Sequence, residues 1–146
     1  SERCIRDSIK FSFVESITGG LLSSLLVKNP GISKYFIGSD VVYGNQAKSI
    51  LLNDNDIDFE NWEELCVNLT HSSLEKYKTD ICLTILGEAG PLSSSKYAVG
   101  TIFICISNGD KTVITDHKMN GNREEILQRS ANKAQWELIK FIKNLY

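Results

Sequence analysis

Four short stretches of this 146-residue chain combine glycine with hydroxyl or cationic side chains, which are residue types suited to nucleophiles and anion binding. The first is VESITGG, residues 14–20, where Ser16 and Thr18 precede Gly19 and Gly20. A hydroxyl between a strand and a helix is often only a cap, because its oxygen accepts a backbone N–H. Two glycines there cost helix stability, which indicates that a ligand approaches the backbone. This stretch alone leaves a helix cap, a nucleophile and a phosphate site open.

The second stretch is YGNQAK, residues 43–48, in which Tyr43 ends a strand and Lys48 lies one turn into a helix. A lysine near a serine can act as its base if burial lowers the lysine pKa. Taken alone, Lys48 is more typical of a solvated helix lysine. Both residues follow the ends of strands, and such ends can meet at one edge of an α/β sheet. We therefore expect the fold to bring the side chains of Ser16 and Lys48 within hydrogen-bond reach.

The third and fourth stretches are GEAGP, residues 87–91, and GNRE, residues 121–124. GEAGP follows a strand, and loops after the carboxyl ends of strands form the ligand crevice of open α/β sheets. A plain turn is the alternative for this loop. Arg123 could hold a phosphate or a carboxylate through two parallel hydrogen bonds, or it could be an ordinary surface arginine.

The elements that must position these stretches follow from apolar periodicity and from turn residues. Strands are predicted over residues 10–15, 35–43, 80–86, 98–107 and 111–117. Helices are predicted over residues 2–9, 18–28, 45–52, 61–77 and 122–144. Asn108-Gly109 predicts an antiparallel hairpin. Strands that alternate with helices predict an α/β fold, a three-layer α/β/α sandwich with a mixed, mostly parallel sheet containing one antiparallel hairpin.

Composition predicts one domain over residues 1–146, with 16 basic and 18 acidic side chains and a net charge of −2. The basic residues are scattered, which argues against nucleic-acid binding, and no apolar run is long enough to span a membrane. The four cysteines form no CxxC pair, and His71 and His117 have no metal-ligand spacing. We therefore expect no metal, and a reduced, cytoplasmic protein with Cys82 and Cys105 buried.

In their order and spacing, the stretches resemble the C-terminal domain family of competence-damage inducible protein A (CinA). The resemblance covers nearly the whole chain and includes a further short motif, VGTI. The family patterns are AESCTGG, YSNEAK, SGIAGP, VGTV and GDR, which correspond here to VESITGG at 14–20, YGNQAK at 43–48, LGEAGP at 86–91, VGTI at 99–102 and GNR at 121–123.

The resemblance implies an amidohydrolase that converts nicotinamide mononucleotide to nicotinate mononucleotide and ammonia without a cofactor. It places the nucleophile at Ser16, the base at Lys48 and an orienting or relaying hydroxyl at Tyr43. The Gly19 and Gly20 amides would bind an oxyanion or the phosphate. The implied substrate contacts are Thr18, Gly19, Gly20, Asn45, Gly87, Ala89, Gly90 and Arg123. The expected partner is a small-molecule nucleotide, and self-association into a homo-oligomer stays open.

The sequence departs from the family pattern at positions implied to surround the substrate. Leu86 replaces a serine or threonine, and Glu88 replaces an apolar residue and would repel an anionic ligand. Asn122 stands in place of the aspartate of GDR, and Leu127 in place of a helix arginine. The alternative to an enzyme is therefore a catalytically silent nucleotide-binding or protein-interaction domain of the same fold.

Overall fold

The computed structural model describes residues 9–145, so the predicted helix over 2–9 lies outside the described residues apart from Ile9. The strands are β1 Phe11–Glu15, β2 Phe36–Val41, β3 Ile81–Gly87, β4 Thr101–Ser107 and β5 Thr112–Lys118. The helices are α1 Leu21–Leu26, α2 Asn45–Leu52, α3 Trp62–Tyr77 and α4 Arg123–Leu145, with a 3₁₀ turn over Ile32–Lys34.

The strands form one sheet in the order β2-β1-β3-β4-β5. β2 and β3 both pair with β1 in parallel, whereas β4 pairs antiparallel with β3 and with β5. Among these five strands only β4 runs against the others, which confirms the mixed, mostly parallel sheet with its hairpin. The carboxyl ends of β1, β2 and β3 therefore meet at one edge, where ligand crevices form in such sheets.

Side chains alternate between the two faces of the sheet, and each face has its own core. Phe13, Ile85 and Ile104 pack on one face with residues of α1 and α4. Val14 and Cys105 pack on the other face with residues of α3, while side chains of α2 lie at that cluster's margin. β3 is buried on both faces, which explains its continuous apolar run. Helices on both faces of one sheet confirm the three-layer sandwich.

The first helix is shorter than its predicted span of 18–28. Gly19 and Gly20 have φ angles of 59° and 104°, which lie in the left-handed region. These angles are incompatible with a helix, so α1 begins only at Leu21. The two glycines thus form a turn between β1 and α1, and they do not belong to the helix itself.

Gly100 secures the connection between the GEAGP stretch and β4. Its N–H donates to the Glu88 carbonyl at 2.7 Å, and its carbonyl accepts from the Met119 N–H at 2.7 Å. Its φ angle is 94°, and a Cβ atom there would lie 2.1 Å from the Met119 carbonyl oxygen. This close backbone approach admits only glycine.

We predict that Gly100→Ala destabilises the protein by about 3 kcal/mol or more, since backbone strain adds to a clash with rigid backbone. Gly109→Ala is the matched control, because Gly109 has a similar φ of 95° but open space around its Cβ position. Gly109→Ala should lower the free energy of unfolding by about 1–2 kcal/mol, because only the strain of a left-handed backbone at a non-glycine residue applies there. Urea unfolding measures both. Equal losses for the two variants would contradict the close approach at Gly100.

Candidate active site

A cavity of about 370 Å³ lies at the edge where the carboxyl ends of β1, β2 and β3 meet. This volume suits a small-molecule ligand. All four stretches singled out in the sequence contribute to its wall. The predicted site residues that line it are Ser16, Tyr43, Asn45, Lys48, Gly87, Ala89, Gly90 and Arg123. The fold therefore brings together residues that lie as much as 107 positions apart in sequence (123 − 16).

Ser16 follows β1 directly and is 8% exposed. Its N–H donates to the Ile85 carbonyl of β3 at 3.1 Å, which fixes the backbone at the mouth of the sheet. Its hydroxyl has no hydrogen-bond partner within residues 9–145, although the residue lines the cavity. A hydroxyl left without a protein partner in a cavity wall is available to a ligand or to a base.

Lys48 is buried in the same wall, with 5% of its surface exposed. Its Nζ donates to the Val42 carbonyl at 2.9 Å and to the Tyr43 carbonyl at 3.0 Å. Burial lowers the lysine pKa to about 8, opposed by a smaller effect of the nearby Cys66 thiol that raises it. A neutral amine has two N–H bonds and one lone pair. With both N–H bonds directed at carbonyls, the lone pair stays available for a proton.

Ser16 and Lys48 were expected to lie within hydrogen-bond reach of each other. They line one cavity, but no direct hydrogen bond joins their side chains in the described part of the chain. Within residues 9–145, the hydrogen bonds of the Lys48 Nζ go to the two carbonyls. Those carbonyls belong to the two residues that directly follow β2, so the chain leaving this strand orients the amine.

The turn that carries Ser16 is held by the Glu15 carboxylate, which is completely buried. It accepts hydrogen bonds from the Thr18 hydroxyl at 2.6 Å and from the Leu22 N–H at 2.8 Å. Ser23 donates its N–H at 2.9 Å and its hydroxyl at 2.5 Å. Thr18 was expected to contact substrate, but its hydroxyl is committed to Glu15 and it does not line the cavity. Its role in this structure is to hold the turn.

Gly19 and Gly20 also lie outside the cavity wall. The Gly19 N–H, considered for an oxyanion or a phosphate, donates to the Ser16 carbonyl at 3.1 Å. Ile17 is placed differently, because it lines the cavity while its side chain is buried in the core. Its N–H meets no acceptor within residues 9–145. Sequence reasoning missed Ile17, since an apolar side chain gives no sign of a functional backbone amide.

Arg123, at the start of α4, links two other parts of the wall. Its guanidinium donates to the Gly90 carbonyl and, at 2.9 Å, to the Tyr43 hydroxyl. Tyr43 is 60% exposed, so this contact lies at the cavity mouth. Because the Tyr43 oxygen accepts from Arg123, its own proton remains free to donate to a ligand.

The rest of the wall comes mostly from residues that the sequence patterns did not mark as functional. Its apolar members are Phe59, Trp62, Leu65, Leu86 and Leu92, and its polar members include Glu60, Glu88, Ser94 and Ser95. Trp62 is held in place by Tyr97, whose ring stacks on the indole at a centroid distance of 4.0 Å. Of these residues only Leu86 and Glu88 were noted beforehand, because the others carry no motif.

Within residues 9–145, no group of three or more His, Cys, Asp or Glu side chains could hold a metal ion, and none of the helices combines the length and apolar character needed to cross a bilayer. Cys66, Cys82 and Cys105 are buried free thiols, as predicted for the latter two. Burial raises the pKa of each of these thiols, so they are poor nucleophiles.

The fold and the cavity define a three-layer α/β domain with a serine and a buried lysine at the carboxyl edge of its sheet. The sequence model of the CinA C-terminal domain matches residues 1–142, and the chain belongs to that family. It is 32% identical over 147 residues to a CinA-like protein of Petrotoga mobilis, with 97% of this chain and 36% of that protein covered. A CinA-like protein of Thermotoga maritima is 36% identical over 147 residues, with the same two shares, 97% and 36%. The chain thus spans about a third of the length of these relatives.

Solved structures share the fold. A CinA superfamily protein from Enterobacter cloacae superposes with a TM-score of 0.85 at 22% identity, covering 97% of this chain and 86% of that chain. A CinA superfamily protein from Escherichia coli superposes with a TM-score of 0.83 at 21% identity, covering 96% of this chain and 84% of that chain. At these identities the likeness establishes architecture and leaves activity to be argued from the site.

We predict that Lys48 makes the free energy of unfolding depend on pH in the alkaline range. The pKa of Lys48 is about 8 in the folded protein and 10.5 when exposed. Between these values the unfolded chain binds more protons, so stability rises as pH increases from about 8 to 10.5. Lys48→Met should be more stable than the native protein at pH 7 and should lack that rise, as followed by urea unfolding across pH. A native-like pH dependence in Lys48→Met would contradict the burial argument.

A second prediction concerns the carboxylate that holds the turn carrying Ser16. Glu15→Gln replaces one acceptor oxygen by an NH₂ group that faces hydrogen-bond donors. The substitution should therefore lower the free energy of unfolding by about 2–4 kcal/mol. Glu63→Gln, on the exposed side of the first turn of α3, should change stability by less than about 0.5 kcal/mol. Chemical unfolding of both variants tests this. A Glu15→Gln protein as stable as the control would remove Glu15 from its assigned role.

Proposed function

We propose that the chain is an amidohydrolase that acts on a pyridine nucleotide and converts nicotinamide mononucleotide to nicotinate mononucleotide and ammonia. The observation that carries the proposal is the buried Lys48, with a pKa near 8, in the same cavity wall as the unpartnered Ser16 hydroxyl. Membership of the CinA C-terminal domain family supports the same activity. A lysine that is partly neutral near pH 8 can act as a general base.

In this mechanism the Ser16 oxygen attacks the carboxamide carbon while its proton passes to the Lys48 amine. The resulting tetrahedral intermediate collapses, and the protonated Lys48 returns the proton to the departing nitrogen, which leaves as ammonia. A water molecule then attacks the acyl ester and loses a proton to Lys48. The second tetrahedral intermediate collapses to nicotinate mononucleotide, and Lys48 returns the proton to the departing Ser16 oxygen. The two carbonyls that accept from the Lys48 Nζ keep the amine oriented through both half-reactions.

The negative oxygen of the tetrahedral intermediate needs a donor that is in place before the reaction. We assign this role to the Ile17 N–H, because it directly follows the nucleophile and meets no acceptor in the described chain. Arg123 and the Tyr43 hydroxyl, hydrogen-bonded at the cavity mouth, are assigned to the substrate phosphate. Asn45 and the Ala89 backbone complete the polar wall.

The second candidate is a nucleotide-binding or interaction domain without turnover. Its support is the buried Leu86, which places an apolar side chain in the wall where a hydroxyl would serve the substrate. The two functions make different demands on the same cavity. Turnover requires Ser16 and Lys48, whereas binding alone requires only the mouth and the wall.

We predict that the purified protein releases ammonia from nicotinamide mononucleotide, with a rate that rises with pH through about 8, because only neutral Lys48 accepts the serine proton. Ser16→Ala and Lys48→Met should each lower kcat by about a thousandfold or more. Lys143→Met, an exposed lysine near the end of α4, should leave the rate unchanged. The assay is coupled ammonia detection.

Three outcomes would contradict the proposed enzyme or the roles assigned to Ser16 and Lys48. Ammonia release that survives both Ser16→Ala and Lys48→Met would exclude this pair as nucleophile and base. Binding of the nucleotide with no ammonia from the native protein would establish the silent domain. A native rate that does not change between pH 6 and 9 would remove Lys48 from the role of base.

A further inference from the structure

Glu88 is a buried carboxylate in the cavity wall that lacks a cationic partner. The residue is 7% exposed. The hydrogen bonds of its carboxylate come from Ser94, from the hydroxyl at 3.1 Å and from the N–H at 3.4 Å. Both are at the long end of the range for charged acceptors. Within residues 9–145 no lysine, arginine or histidine forms an ion pair with it.

A buried charge without a partner is costly, so a protein retains one where a bound group supplies the opposite charge. The two Ser94 contacts are neutral hydrogen bonds and supply no opposite charge to the carboxylate. The cavity itself contains cationic groups, Lys48 and Arg123, but both are engaged by backbone carbonyls, and Arg123 also by Tyr43. Glu88 therefore has acceptor capacity left for a ligand in the cavity.

The surroundings of Glu88 describe the cationic group that fits. Phe59, Trp62 and Leu92 line the same cavity and present aromatic and aliphatic surface. Such surface suits a flat ring and not a hydrated ammonium, and the face of an aromatic residue also attracts a cationic ring. A cavity whose wall contains both a carboxylate and aromatic side chains is thus suited to a planar cation.

We propose that Glu88 makes this cavity selective for a substrate whose amide-bearing ring is positively charged, that is, a pyridinium carboxamide in preference to its uncharged counterpart. The inference rests on the proposed function, because it takes the ligand to be a pyridine nucleotide. The repulsion between Glu88 and an anionic ligand, expected from sequence, considers only the phosphate. A pyridinium nucleotide carries both charges, and the cavity offers Arg123 to one and Glu88 to the other.

The experiment compares two ligands of one shape. Nicotinamide mononucleotide has the ring cation, whereas benzamide mononucleotide, with carbon in place of the ring nitrogen, is neutral there. Calorimetry with the native protein should show tighter binding of the cationic ligand by about tenfold. Glu88→Gln removes the charge but can keep both contacts with Ser94, because its amide oxygen accepts from the Ser94 N–H and its NH₂ group donates to the Ser94 hydroxyl. It should lower this preference to about twofold or less. Glu88→Asp should restore part of it, and Glu63→Gln should leave it at the native value.

The readout is a ratio of dissociation constants, so it is independent of turnover. If the native protein binds both nucleotides equally, or if Glu88→Gln retains the full preference, the inference is overturned. If neither nucleotide binds, both the inference and the proposed substrate are overturned. If the preference behaves as expected but no ammonia is released, the inference stands and the proposed catalysis fails. A melting temperature for each variant confirms that the folded protein is being compared.

Discussion

The Glu15 carboxylate is the interaction on which the arrangement of the site depends. A carboxylate with no solvent exposure must be fully hydrogen-bonded, and the donors available are the hydroxyl and backbone groups of the next eight residues. To reach them, the chain must reverse immediately after β1. Gly19 and Gly20 supply the left-handed angles that the reversal requires. Ser16 is thereby fixed at the open end of the sheet as a consequence of satisfying its neighbour.

The same interaction extends to the next strand. The Ser23 hydroxyl, which donates to Glu15, also lies 2.7 Å from the Ser39 hydroxyl on β2. β2 in turn leads to the Val42 and Tyr43 carbonyls that accept from the Lys48 Nζ. A continuous set of hydrogen bonds and strand pairing thus relates the position of the serine to that of the lysine. The distance between the two side chains is set by the backbone and not by a direct bond between them.

The sequence predicted the order and type of the elements well, because each has a strong period or a clear turn. α2 has the predicted bounds, 45–52, and the hairpin around Asn108-Gly109 was correctly placed. The site was predicted in part. Of the predicted site residues, Ser16, Lys48 and Arg123 line the cavity, whereas Thr18, Gly19 and Gly20 lie in the turn outside its wall. Glu60 and Trp62 were missed because their loop and helix join the site only through tertiary packing, which has no local signal.

Leu86 shows how a departure from the family pattern can act on the base and not only on the substrate. It lies on β3, is 2% exposed, and packs in the core on the side of α3 while also lining the cavity. Leu86 and Lys48 line one cavity and both lie near the buried Cys66 thiol, so we expect an apolar side chain at position 86 to keep water away from the amine. Exclusion of water is the main cause of the lowered lysine pKa. Under the proposed function, an apolar residue in place of a hydroxyl at this position thus favours the neutral form of Lys48, so the departure at Leu86 is compatible with Lys48 as the base.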